Sequence, residues 1–249
     1  MALYIDGGLS DLTDLSDHES GILDLAKSAG VDLGAKLKLA WEELGSEIEG
    51  FLRRNGGEGW GASLRQVVAT APLRRCHALL TLALAFRDAA CGQANERYEK
   101  RYRTYETLYR QALRKAMEGG IGVVAAPLPA PAAPEVRGES GAGPATPLYV
   151  RVTWVNGKEQ ESAPSEAVLV ESNGSTVFRV RMRAAVEGAT GWNVYVGDGP
   201  DEVRRANPHP LGLEEEWRLD GGGVTSFAGP GEGQSVERWI REERRLKRG

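Results

Sequence analysis

Histidine and cysteine are scarce in this 249-residue chain, with three and two respectively. That removes most of the side chains that ligate transition metals or exchange protons near neutral pH. His18, His77 and His209 stand far apart, and neither they nor the cysteines fall at metal-ligand spacing. His77, on an apolar stretch, reads as a satisfied core residue. Cys76 and Cys91 are fifteen positions apart in what reads as one helix. At ~1.5 Å per residue they lie about 22 Å from each other and cannot be bridged within the chain. A reducing compartment follows as the expectation. Long apolar runs are missing too, since the longest, Cys76 to Phe86, falls well short of the ~20 residues a membrane helix needs. No basic region precedes an apolar core in Met1 to Gly8, so no secretory leader is expected, and the sequon Asn173-Gly174-Ser175 reads as a turn. Gly229-Pro230-Gly231-Glu232-Gly233 lacks the Lys-Ser/Thr of a phosphate-binding loop, and no nucleophile elbow occurs. Carboxylates abound, as in Glu214-Glu215-Glu216 and at Asp11, Asp14 and Asp17, but acidic runs are usually solvated. The expectation is a non-enzymatic protein with no cofactor and no metal.

What is present is an uneven charge layout. The 31 bases and 35 acids leave a formal charge of −4, which gives no global pull toward nucleic acid. Yet residues 1–50 hold three bases against eleven acids, and residues 97–115 hold seven bases against two acids. Such a layout favours head-to-tail or multi-partner electrostatic contacts, alongside the plainer reading of solvated helix faces.

Residues 9–118 read as helical. Ser16-Asp17-His18-Glu19 fits a capping box opening a helix from about Asp17 to Ser28 that Gly30 stops. A second helix begins near Asp32 with Leu33, Leu37, Trp41, Leu44, Ile48 and Phe51 on one face, and Asn55-Gly56-Gly57 closes it. Thr70 and Pro72 open a third that has almost no polar face and is expected at the centre of the bundle. A fourth, about Ala94 to Met117, carries Tyr98, Tyr102, Tyr105, Tyr109, Ala112 and Ala116 as one stripe among seven bases. Tyrosine among arginine could contact nucleic acid, which would make Arg97, Arg101, Tyr102 and Tyr105 the interaction residues. Alternatively the stripe is core with hydroxyls at its rim, and the bases face an acidic partner such as the first fifty residues.

From residue 125 to 147 proline and glycine dominate, which reads as an extended linker. Beyond it the period becomes two. Val150, Val152 and Trp154 alternate with Arg151 and Thr153 and run into Asn156-Gly157, a hairpin signal. Phe178, Val180 and Met182 follow a second Asn-Gly, then Trp192, Val194 and Val196, and a last strand lies around Glu216 to Leu219. One apolar and one charged face argue an antiparallel β-sandwich. The fold class is therefore multidomain, α plus all-β: a helical domain at 1–120, a linker at 121–147, a sandwich at 148–228 and a C-terminal arm at 229–249. Trp239 and Ile240 have no local partner legible and read as anchors that dock elsewhere, beside Arg238, Arg241, Arg244 and Arg245.

Leu12 to Gly30, Leu37 to Glu49, and Leu79 to Ala90 followed by Glu96 to Tyr102 resemble the helical core of tailed-phage head-to-tail adaptor (head completion) proteins. Trp192-Asn193-Val194-Tyr195-Val196 and the Ser162-Ala163-Pro164-Ser165-Glu166 turn are similar to fibronectin type III and other Ig-like modules. The resemblance covers less than half of the chain and rests mostly on apolar spacing. It implies a virion structural protein made in the bacterial host cytoplasm, located at the neck or connector. It further implies a homo-oligomeric ring, a dodecamer, that contacts portal and tail or neck proteins, with packaged DNA passing nearby and no membrane partner. The alternative is an oligomeric binding module whose sandwich recognises carbohydrate or peptide.

Overall fold

The computed structural model describes residues 1–56, 63–93, 95–171, 174–219 and 228–242. Two compact units result, one from Gly7–Ala125 with the C-terminal segment from Val236, the other from Met1–Asp6 with Ala126–Ser235. The α plus β organisation expected from the sequence is present, but its borders differ. Residues 121–147 are not a linker: they hold strands of both units, and residues 229–249 divide between the two.

In the helical unit, α1 (Leu12–His18) starts at Asp11, whose carboxylate accepts from the Thr13 and Asp14 amides while Asp14 reaches back to the Asp11 amide. The capping box therefore lies five residues before the expected one. Ser16 sits inside the helix with its hydroxyl donating to the Leu12 carbonyl at 2.9 Å, because starting at Asp11 lets Leu15 be fully buried. Helix α2 (Ile22–Ala29) ends at Gly30, which takes the left-handed conformation at φ 68° that favours glycine. Helix α3 (Leu33–Asn55) is capped by Asp32 and buries Leu33, Leu44, Ile48 and Phe51. Helix α4 (Ala71–Gln93) touches all four of the other helices, so its near-continuous apolar surface is consumed as core. Both cysteines lie on it, Cys76 buried and Cys91 exposed. Helix α5 (Glu96–Gly119) is capped by Asn95 and packs along α4. No described helix is long and apolar enough to cross a membrane.

Strand β1 (Ile121–Val123) leaves α5 through Gly120 and is the middle of a small three-part ribbon. On one side Val68 N–H donates to the Gly122 carbonyl and Val124 N–H to Gln66, each at 2.9 Å. On the other side lies β9 (Arg238–Ile240), antiparallel, with Ile121 opposite Ile240 and Gly122 opposite Trp239.

The second unit has two antiparallel sheets that share one apolar core. Strands β2 (Glu135–Ser140), β5 (Thr176–Arg181) and β8 (Trp217–Leu219) form one in the order β2-β5-β8. Strands β3 (Leu148–Asn156), β4 (Val168–Val170), β6 (Ala189–Gly197) and β7 (Arg204–Arg205) form the other in the order β4-β3-β6-β7. Val150, Val152 and Trp154 of β3, Trp192, Val194 and Val196 of β6, and Phe178 and Val180 of β5 are buried together. Leu128, from the proline-rich stretch, is buried with them. Its amide donates to the Gln234 side chain at 2.6 Å, and that of Ala130 to Asp6 at 2.8 Å. Extended chain that cannot join a ladder thus has its donors met by side chains from both ends of the sequence.

Asn156-Gly157 makes a turn but not a two-residue hairpin. The Asn156 side-chain oxygen accepts from Lys158 and Gln160, Glu159 takes φ 60°, and the chain returns beside β3 as an irregular edge. Pro164 has no N–H, so Ser162 and Ser165 pair with Trp154 and Val152 through both an amide and a hydroxyl.

Candidate interaction surface of the helical unit

The tyrosine stripe of α5 is mostly core. Tyr105 is buried, its ring stacks on Phe86 at 5.5 Å, and its hydroxyl donates to the Glu19 carboxylate at 2.9 Å, with the His18 carbonyl 3.2 Å away. Burial, reinforced by Glu19, pushes its phenol up to about 12. Tyr98 leans on Phe86 at 6.2 Å, and Tyr102 is half-buried. Tyr105 therefore has no free face for a nucleobase, which corrects that reading of the stripe, and Arg101 is held by Glu19 at 3.1 Å.

The remaining bases divide into two sets. Arg103 pairs with Glu99 at 2.5 Å and Arg110 with Glu106 at 2.7 Å, each one helical turn away. Arg97, Lys100, Arg114 and Lys115 are exposed and make no ion pair among the described residues, and Leu108 is 38% exposed. On the opposite flank of α5 an open groove of about 1240 Å³ runs between α3 and α5. Phe51, Leu80, Leu84 and Tyr109 supply its apolar lining, and both signs of charge rim it, as Glu47 and Arg87 show. Burial and the neighbouring Glu47 and Glu43 hold the Tyr109 phenol above its usual range.

His77, one turn before Leu80 on α4 and not itself in the groove's lining, is fully committed. Its Nε2 faces the Leu37 carbonyl at 2.9 Å, and a carbonyl can only accept, so the neutral ring carries its proton there. Nδ1 then accepts from the Ser10 hydroxyl at 2.6 Å. Burial lowers its pKa. Among the described residues no group of three or more His, Cys, Asp and Glu side chains is placed to hold a metal ion.

The expected docking arm proves to be part of its own unit. Ile240 is 3% exposed and sits on β1, while Trp239, pointing the other way, is 44% exposed. Gly120 and Gly122 form the seat: a Cβ on Gly122 would meet Val236 at 2.6 Å, and one on Gly120 would meet Arg241 at 2.9 Å. Arg238 and Arg241 are exposed beside Trp239. Arg244 and Arg245 lie outside the described residues. The partner was illegible because β1 is three residues long and more than a hundred positions away.

One polar cluster had no signal in the sequence. Glu161 accepts from Thr153, from Asn193 at 2.8 Å and from the Tyr195 hydroxyl at 2.6 Å, and Arg205 and Asn207 close on Asn193. Thr153, Asn193 and Tyr195 read as a solvent face by alternation but are buried. Their mutual hydrogen bonds make that burial tolerable, and it corrects the expectation of one wholly solvated sheet face. No family model matches the sequence, and no curated protein or solved structure matches the chain.

Proposed function

We propose that the chain is a subunit of a homo-oligomeric ring, the head-to-tail connector of a tailed-phage particle, acting by packing rather than by catalysis. In this reading it joins portal to tail or neck, and the two-sheet unit is an Ig-like or fibronectin type III-like decoration. One observation carries the reading: the three stretches that resemble the adaptor family meet as α1, α2, α3 and α5 around α4, in one helical unit. The surface chemistry of that unit supports it. The groove between α3 and α5 has an apolar floor and a mixed-sign rim, as a protein-packing surface requires.

The test is the mass of the purified full-length protein by light scattering over a range of concentrations, with particles viewed by negative-stain electron microscopy. A discrete, concentration-dependent ring is the expected result. A protein that stays monomeric at every concentration and binds a glycan or peptide through its two-sheet unit would overturn the proposal in favour of a binding module.

A further inference from the structure

Helix α5 spends three of its seven bases within the chain, on Glu99, Glu106 and Glu19. Of the exposed remainder, Arg114 lines the groove beside α3 and Arg97 a hollow shared with Asp24, while Lys100 lies in one shallow hollow with the exposed Leu108 and Lys115 follows Leu108 two helical turns on. The stretch holding α1 and α2 has the opposite arrangement. Of its five acids, Asp11 and Asp14 are used in the capping box, and Glu19 is used by Arg101 and Tyr105. Asp17 and Asp24 are exposed and make no ion pair among the described residues, and Leu12 and Leu23 beside them are 46% and 50% exposed. On α5 the exposed charge is four bases against Glu96 and Glu118 at the helix ends, and on α1–α2 it is two acids against Lys27, so each surface carries an excess of one sign beside an exposed leucine.

We infer that the outer face of α5 docks on the α1–α2 surface of a second copy of this chain, with unlike charges opposed and leucines between them. A nucleic acid fits less well. The acidic surface adjoins the basic one at the Glu19–Arg101 pair, where it would repel phosphates, and exposed leucines add nothing to phosphate binding. A second copy supplies both the missing charge and the apolar anchors. Because every copy carries both halves, a head-to-tail contact leaves a further half free and repeats until it closes, whereas a two-fold contact would stop at a dimer. The inference rests on the ring reading in requiring self-association, and adds which surfaces meet.

Two charge-reversed full-length variants test it, D17K/D24K and K100E/K115E. Their self-association is measured by sedimentation at 50 and 500 mM salt, with a short DNA duplex as a separate probe. Each variant alone is expected to associate about tenfold or more weakly than the unaltered protein. An equimolar mixture should return to within about threefold, because the reversed faces complement each other. Salt should weaken the unaltered contact. Should circular dichroism show a reversed variant unfolded, the neutral pair D17N/D24N and K100Q/K115Q replaces it, each expected to weaken association by about threefold. Variants that associate like the unaltered protein, or a mixture that is not restored, would overturn the contact and leave the ring reading standing. An unaltered protein that never associates overturns both. Loss of duplex binding in K100E/K115E with association intact would assign the α5 face to nucleic acid instead.

Discussion

Gly122→Ala tests the seating of the C-terminal strand through the sign of its effect. Gly122 has no positive φ, so alanine is conformationally allowed there, and on an unobstructed strand it should stabilise by ~0.5–1 kcal/mol through lower unfolded-chain entropy. The structure puts Val236 Cγ2 at 2.6 Å and Cγ1 at 3.0 Å from the new methyl. Valine is stiff at χ1 and its contact atoms cannot swing clear without moving the strand. Overpacking of this kind costs ~1–3 kcal/mol, so the net expectation is a loss of about 0.5–2 kcal/mol. Val236→Ala removes both methyls and leaves its Cβ at 3.4 Å, an ordinary contact. In that background Gly122→Ala should become neutral or stabilising, a coupling of ~1–2 kcal/mol. Urea unfolding of the four proteins, followed by helical circular dichroism, measures the cycle. If Gly122→Ala stabilises the otherwise unaltered chain, residues 236–240 are not held on β1 and the account of the helical unit fails.

Ile240→Ala should destabilise the helical unit by ~2–4 kcal/mol, since it deletes buried methylenes and leaves a cavity; a change below ~1 kcal/mol in urea unfolding would place Ile240 at the surface. Burial holds the pKa of His77 below its unfolded value, so the unfolded chain takes up a proton first as pH falls. Stability should therefore decline below about pH 6.5, by up to ~1.4 kcal/mol per unit, and level off once the folded ring also protonates. His77→Gln should flatten that slope in melts between pH 5 and 8, and an unchanged slope would refute the role. A fragment of residues 147–228 lacks β2 and Leu128 and is expected to melt without a cooperative transition, while Leu128→Ala in the full chain should cost ~2–5 kcal/mol; cooperative melting of the fragment would show that the proline-rich segment is dispensable to the core.

The end of α2 was legible from Gly30, but its start was not, since the expected helix from Asp17 is broken between α1, ending at His18, and α2, starting at Ile22. Helices α3 to α5 were legible because each is long enough for several turns of apolar spacing, with Asp32 opening α3. Strands β3, β5 and β6 were legible by alternation for the same reason. Strands β1, β2 and β9 were not. Three residues hold less than two periods of a strand, Glu135–Ser140 is polar at most positions, and each of these strands is defined by a partner far away in sequence. Of the interaction residues, the unpaired bases of α5 could be read from composition, but which of them glutamates would neutralise depended on packing. Trp239 and Ile240 were recognised as an anchor pair, yet alternation along a strand sends them to opposite faces, and only the register decides which one is buried.

The strand that completes the helical unit is made long after the strand it pairs with. Val123 and Val236 are separated by 112 residues, so at ~5–20 residues per second β1 waits about 6–22 s on the ribosome for its neighbour. During that interval Ile121 and Val123 lie along an edge with unanswered hydrogen-bonding groups, open to any extended segment of a nearby nascent chain. Translation speed through the second unit therefore governs how long the first remains open to exchange. The same strand from another copy, if it arrived first, would find the Gly120 and Gly122 seat equally well shaped.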